Sequence, residues 1–332
     1  MCIRYTYSDE KPSLGNVRNQ ATELGSVKTE KGQDRPARGA GLRSCSGGEI
    51  RYDARGGSTM PYRYAYCWML LLFPLIGLAF WPGYLGQLGK APFALHAHGI
   101  TATAWLVLLT AQSWSIHARR QVWHRTAGLA TFVILPLFAA AGPSALQGMA
   151  ILWRGNADPF HATFGSRLVI ADMVAGPSVV IMVVYALFHR RQVPIHAAAM
   201  LATALLVLPP VIGRLLPAIP GFPHGGWAGF AGFRAAFQLA EAITLVLALW
   251  LACRRPTARV GFGFAAAATA MQMIGFETID QTDFWTHWVI ILTDIPAAPM
   301  SLAAGTTTLL LLWWAWKAPS RLSSNHTLQR TS

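Results

Sequence analysis

An all-α, polytopic transmembrane bundle of about eight helices is the fold class this sequence predicts. Three observations predict it. Hydrophobic residues make up 53% of the 332 positions and charged residues only 12%, roughly half the charged share of a soluble protein. The apolar residues gather into eight runs near the length a bilayer demands, about 20 residues at a helical rise of about 1.5 Å each. Positive charge alternates between the connections, strong then weak, as it does when successive loops face opposite sides of a membrane.

The chain opens differently. Residues 1–59 hold 10 of the 27 Lys+Arg and 7 of the 14 Asp+Glu, with much Gly and Ser and no helical or strand periodicity. Too little apolar area is available there to offset ordering entropy, so a disordered tail is expected. It has neither the apolar stretch nor the cleavage site of a signal peptide. Met60 stands just before the first apolar run, followed by the interfacial anchor Tyr62-Arg63-Tyr64. The expectation is that translation begins at Met60 and the tail is a gene-model extension. The membrane domain then covers 60–317, and 318–332 forms a C-terminal tail.

The apolar runs are 65–85, 91–116, 126–153, 168–188, 193–216, 235–253, 260–276 and 295–316. The seventh is short and Ala-rich, and without it the count is seven. In the third run Pro136 and Gly142-Pro143 predict a kink or a division into two pieces. Pro209-Pro210 should break the fifth, because proline removes a helical donor and clashes with the preceding turn. Such breaks survive in lipid only where protein or water satisfies the freed backbone groups.

Arg119, Arg120 and Arg125 follow the second run, Arg190 and Arg191 the fourth, and Arg254, Arg255 and Arg259 the sixth; Lys317 and Arg321 follow the last. The opposite connections carry Lys90, then Arg154 and Arg167 against Asp158, then Arg234. An acidic loop with Glu277, Asp280, Asp283 and Asp294 follows the seventh run. The positive-inside rule puts both termini in the cytoplasm of a bacterial inner membrane. Tryptophans near the run ends, among them Trp68, Trp81, Trp114, Trp153 and Trp313, fit an interfacial belt. A net charge of +13 raises nucleic acid as a partner, but the basic residues come in twos and threes between apolar runs and make no continuous face. Nucleic acid is therefore set aside, and the lipid bilayer is the expected partner.

Few ionisable residues interrupt the runs. His96 and His98 lie early in the second, Asp172 early in the fourth, Arg214 late in the fifth and Glu241 early in the sixth, with Gln238 one turn before it. With the orientation above, all fall roughly one to two turns below the outer surface. Charges at membrane depth are costly and face a bundle interior or cavity, so His98, Asp172, Arg214, Gln238 and Glu241 form a candidate polar cluster. It would bind a small molecule, a proton or a cofactor. The alternative is purely structural: Asp172 pairs with Arg214, and Glu241 with His98 or Gln238, to fix helix packing.

His117, His124, His189 and His196 fall near the cytoplasmic helix ends, and His161, His224 and His287 on the other side. Histidines near both faces suit haem b held by paired imidazoles from different helices, with His98, His124 and His196 as candidate ligands. His96-Ala97-His98 places its two rings on different helix faces and is a poor chelate. Cys2, Cys45, Cys67 and Cys253 show no CxxC spacing. Zincin, Walker, nucleophile-elbow and dinucleotide motifs are absent from the sequence.

His98-Gly99, Trp105, Gln112, His124-Arg125, Gly128, Asp172, a basic segment before His196, Met200-Leu201, and Pro210 followed by Arg214 make an ordered pattern. On these residues the chain resembles, from about 60 to 290, a widespread, uncharacterised family of bacterial multi-pass inner-membrane proteins. The resemblance implies topology and a set of residues to examine; the family has no assigned reaction. Ala197-Ala198-Ala199 departs from the pattern where basic residues are expected, which weakens phosphate or lipid-headgroup binding near His196. The final run, 295–316, is an addition.

Three functions follow as expectations. The first is a non-enzymatic membrane protein, either a small-solute or proton-coupled carrier or an accessory subunit, on the strength of broken helices and intramembrane charges, although no inverted repeat is evident. The second is a haem-b electron-transfer or quinone-linked protein. The third is a metal-dependent membrane-embedded hydrolase using His98, Asp172 and Glu241, near the three ligands that catalytic zinc requires.

Overall fold

The computed structural model describes residues 62–222, 226–279 and 282–319. The tail 1–59 with Cys2 and Cys45, Met60, His224, Asp280 and residues beyond 319 lie outside them. The described residues form helices and no strands, as the apolar periodicity predicts. In chain order the α-helices are α1 (Ala65–Phe80), α2 (Phe93–His117), α3 (Gln121–Gly128), α4 (Thr131–Arg154), α5 (Pro159–Phe188) and α6 (Val193–Leu205). They continue with α7 (Leu208–Leu215), α8 (Gly226–Arg254), α9 (Arg259–Thr278), α10 (Asp283–Asp294) and α11 (Ala297–Lys317).

Local chemistry sets several of these boundaries. The Asp158 side chain accepts the His161 backbone N–H at 3.0 Å, and Pro159 starts α5 with its φ already helical. Thr282 caps α10 in the same manner, through the Trp285 N–H. The fifth apolar run divides at Leu206-Val207 into α6 and α7. Pro209 and Pro210 have no N–H to offer the carbonyls of Leu205 and Leu206, so the helix opens one turn before them.

Elsewhere the sequence reading needs correction. α4 continues unbroken through Pro136 and Pro143, and the third run divides instead at Leu129-Ala130, between α3 and α4. The segment expected as an acidic loop contains α10, which meets α11 at a 99° bend. Five helical segments among the described residues are long and apolar enough to cross a membrane: α2, α4, α5, α6 with α7 as one broken span, and α8 from Gly232. The α10–α11 pair makes a sixth if taken as one bent span. α1 is short at 16 residues, and α9 does not meet the same length-and-hydropathy test. The count is thus below the eight read from the sequence.

α5 is the central helix, packed against α4, α6, α9 and α11. α2 and α11 also pack on α4, while α8 packs on α9 and α7. The outer surface is apolar: Trp68, Leu78, Phe93, Ile100, Val133, Ile181, Val246, Met271, Ile274, Leu302 and Leu310 all face outward. So much exposed apolar area is far beyond the patches a water-soluble monomer tolerates, and it identifies lipid as the solvent.

Helix seams are built from small residues, which allow backbones to approach closely where lipid supplies no hydrophobic drive between helices. A Cβ on Gly261 of α9 would lie 2.9 Å from the Ala199 nitrogen of α6. One on Gly305 of α11 would lie 3.2 Å from the Pro136 carbonyl oxygen of α4. Ser144 and Ser301 share a hydrogen bond of 2.8 Å along that second seam. Ala198 and Ala199 are wholly enclosed against Gly261. A long basic side chain would have no room at either position.

Gly261→Val should lower stability by about 1–3 kcal/mol, as other overpacked seams do. Gly263→Val, at a position with open space around it, should be near neutral. Thermal unfolding of both variants in one detergent checks this, and equal melting temperatures would contradict the seam.

Candidate functional site

The sequence-predicted cluster divides into three parts. His98, Asp172 and Arg214 come together. Asp172 lies near the middle of α5, about 20 Å from its start at 1.5 Å per residue. α5 begins nine residues before the apolar run that was read from the sequence, so Asp172 is further along its helix than expected. Protein surrounds Asp172, and the charges of His98 on α2 and Arg214 on α7 act on it. Yet the Asp172 side chain is exposed, as is that of Arg214.

The expected Asp172–Arg214 ion pair is not formed. The Arg214 guanidinium donates to the Pro210 carbonyl oxygen at 2.8 Å and lies 4.4 Å from the centre of the Phe80 ring. That cation–π arrangement holds the charge without neutralising it. Asp172 has no hydrogen-bond or ion-pair partner among the described residues. The His98 ring packs 5.4 Å from that of Phe138, and its buried Nδ1 has no partner. His96 turns away to Tyr84, with 2.8 Å between Nδ1 and the phenol oxygen, as their different helix faces predict.

Gln238 and Glu241 belong elsewhere. Gln238 donates to the Met273 carbonyl at 3.2 Å and to Glu277 at 2.9 Å, and Arg234 clasps the same Glu277 with two nitrogens. Gln238 is thus part of an α8–α9 clamp with two residues that had been assigned to loops. Glu241 is 0% exposed, and neither carboxylate oxygen has a partner. His98 and Gln238, its expected partners, are both engaged elsewhere or turned to other neighbours.

Sequence reasoning passed over Thr269 and Gln272 on α9. Both are buried; Thr269 Oγ1 and Gln272 Oε1 have no partner, while Gln272 Nε2 donates to the Ala171 carbonyl of α5 at 3.0 Å. Their signal was present: two polar side chains three residues apart in an Ala-rich run share one helix face.

The haem-ligand candidates also divide. The rings of His124 and His196 lie 6.5 Å apart, nearly perpendicular. His98 is far from both, since it precedes Gln112, their neighbour on α2, by 14 residues, about 21 Å of helix. His196 holds its Nδ1 at 2.9 Å from the Ala186 carbonyl, which leaves Nε2 as the lone-pair nitrogen. Gln112 adjoins His124 and Gly128, and both of its buried amide atoms are unpartnered. His117, His189 and His161 are held by Arg63, Tyr185 and Asp158. Among the described residues no group of three or more His, Cys, Asp or Glu can hold a metal ion. The ligand set His98, Asp172 and Glu241 is therefore not assembled.

Fold and surface together define an all-α membrane protein. No protein-family model matches the chain, and neither a curated protein nor a solved structure matches it.

The cap that starts α5, and so helps position Asp172, is sensitive to acid. The His161 backbone N–H and then its ring, 2.6 Å away, hold the Asp158 carboxyl below its ordinary 3.8. This stabilisation is present above the unfolded-state value and is lost as pH falls through the folded one. Amide exchange at His161 and Ala162, corrected for intrinsic rates, should accelerate between about pH 6 and about pH 2. Asp158→Ala should be fast throughout; an identical profile in that variant would remove the cap from the argument.

Proposed function

We propose that the protein is a carrier for a small polar solute in a bacterial cytoplasmic membrane, with both termini on the cytoplasmic side. The solute site is the cleft of His98, Asp172 and Arg214. One observation carries this reading: a carboxylate and a guanidinium lie deep in the bundle, within reach of each other's charge, accessible and unpaired. Charges inside a membrane protein that served packing alone would be expected to close into a hydrogen-bonded pair. Held apart, they can each receive part of a solute: an ammonium group at Asp172 and a carboxylate or phosphate at Arg214. The break between α6 and α7, whose second half carries Arg214, is the kind of discontinuity that carriers place at their binding sites. The resemblance to bacterial multi-pass proteins rests partly on these same three residues.

In a variant with serine at Cys2, Cys45, Cys67 and Cys253, Asp172→Cys should react with a charged, membrane-impermeant thiosulfonate added from outside. The rate should be within about tenfold of an exposed thiol, since the reagent needs a hydrated thiolate. Two controls should stay unreactive: Val183→Cys, enclosed in the core, and Val246→Cys, facing lipid. A silent Asp172→Cys in folded protein rejects the cleft.

A second reading is favoured by the His124–His196 pair. The two rings lie 6.5 Å apart, near enough for both to reach one iron. The carbonyl held by His196 Nδ1 is the usual outer partner of a ligating histidine. A haem b there would be held by His124 and His196 and would supply one-electron chemistry. Reduced-minus-oxidised absorption of the purified protein tests this. Stoichiometric haem, lost in His124→Ala and His196→Ala and kept in His98→Ala, would establish it, whereas a featureless spectrum of folded protein would reject it.

A further inference from the structure

Glu241 is the buried ionisable group that neither reading uses. Three pairs fix the register of α8 against α9. Arg234 meets Glu277, the rings of Phe237 and Phe276 stack with centres 4.2 Å apart, and Gln238 reaches the Met273 carbonyl at 3.2 Å. The helices are antiparallel, so each step forward on α8 is a step back on α9. Continued by one turn, this register sets Glu241 level with the stretch from Thr269 to Gln272. All three residues are buried, and all three carry unpartnered oxygens: Glu241 Oε1 and Oε2, Thr269 Oγ1 and Gln272 Oε1.

The donor–acceptor balance identifies what is missing. With Glu241 ionised, the group holds three oxygens that can only accept and one hydroxyl that can donate. Gln272 cannot turn its amide nitrogen inward, because Nε2 is committed to the Ala171 carbonyl. Thr244, on the same face of α8, already spends its hydroxyl on the Ala240 carbonyl at 2.9 Å. A lone carboxylate in so dry a place would be prohibitively costly. No other charge relieves it. The ionisable groups on the elements around α8 are Arg214 on α7, His196 on α6, Arg259 and Glu277 on α9, and Arg234 and Arg254 on α8 itself; Asp172 and Arg167 stand on α5 beyond Gln272. None exerts a resolved charge effect on Glu241. One added proton removes the uncompensated charge and adds a donor to a group that is short of donors, for an acceptor such as Gln272 Oε1 at the same level.

We propose that Glu241, Thr269 and Gln272 form a buried site that binds one exchangeable proton. The site lies directly behind the solute cleft. Ala240, beside Glu241, packs on Gly213, whose neighbour is Arg214, with 3.8 Å between Ala240 Cβ and a Cβ placed on that glycine. Ala171, which holds Gln272, is the neighbour of Asp172. A proton gained or lost by Glu241 thus changes a hydrogen bond that bears on α5 next to Asp172. As the coupling site of a proton-driven carrier this inference rests on the cleft reading; as a proton site it does not.

Infrared spectroscopy of the full chain in lipid, near neutral pH, tests it. A carboxylic-acid C=O band should be present, should shift on prolonged exchange into D2O, and should be lost in Glu241→Gln. Gln272→Leu, which removes the acceptor and keeps the acid, should move the band to higher frequency, and this variant also serves if Glu241→Gln fails to fold. Sodium should leave the band unchanged at fixed pH. Absence of the band from folded protein, its insensitivity to D2O, or its disappearance on adding sodium would each overturn the proposal, the last in favour of a metal cation. Failure of the cleft would show separately, as an Asp172→Cys thiol that does not react while the Glu241 band persists.

Discussion

Close approach of helix backbones is the constraint on which the rest of this structure depends. In lipid, neighbouring helices gain little by hiding apolar surface from one another, so dispersion and short polar contacts must hold them. The seams therefore run through glycine and alanine: Gly261 on Ala198 and Ala199, Gly305 on Pro136 and Ala140, Gly213 on Ala236 and Ala240, and Gly275 on Ile170. Large apolar side chains fill the core, as Phe276, Leu135 and Leu312 do, and also cover the outer surface, where Ile274 and Leu310 are exposed.

Tight seams also determine where charge can reside. A long ionic side chain cannot enter a seam whose backbones nearly touch, and Asp172 and Arg214 are both exposed. Arg214 stands one turn after Pro210, on the second half of the broken α6–α7 span. Glu241 is the exception. It is fully enclosed, and the polar residues Thr244, Thr269 and Gln272 are buried on the same α8–α9 seam. A carboxyl fits there only if it brings no uncompensated charge.

Much of this was legible in the sequence. Apolar runs and their length give the helical class, because helical rise and bilayer thickness are fixed. Pro209-Pro210 gave the break in the fifth run, and the rarity of intramembrane charge singled out His98, Asp172 and Arg214. What was not legible depends on how helices rotate and extend. Gln238 precedes Glu241 by less than one turn, yet it binds Glu277, because the helix face and not the spacing decides the neighbour. The start of α5 was not legible, since the helix begins at Pro159, nine residues before the apolar run, and passes through His161 and Arg167, where composition shows no apolar run. α10 was hidden for a related reason: its acidic ends, Asp283 and Asp294, read as a loop, while Trp285, Val289 and Leu292 bury one helical face between them. Partners on different helices, such as His124 and His196, cannot be paired by any rule that uses sequence separation.

The two ends of the molecule show different chemistry. Asp172 and Arg214 are exposed and form no ion pair with each other, and Arg214 spends its guanidinium on the Pro210 carbonyl and the Phe80 ring. The His124–His196 pair carries no acid beside it, and its neighbour is a neutral amide, so it suits a ligand that brings its own charge or an iron with its porphyrin. Some 21 Å of α2 separates the two places, too far for a direct interaction in a seam-packed bundle. Any influence of one upon the other must pass through rigid displacement of helices, and α5 is the element placed to carry it. It bears Asp172 at its middle, holds Gln272 through Ala171, and supplies the Ala186 carbonyl that orients His196. A shift of α5 along its axis would alter all three at once. Asp172, the Ala171 carbonyl that holds Gln272 and the Ala186 carbonyl that orients His196 all belong to this one helix.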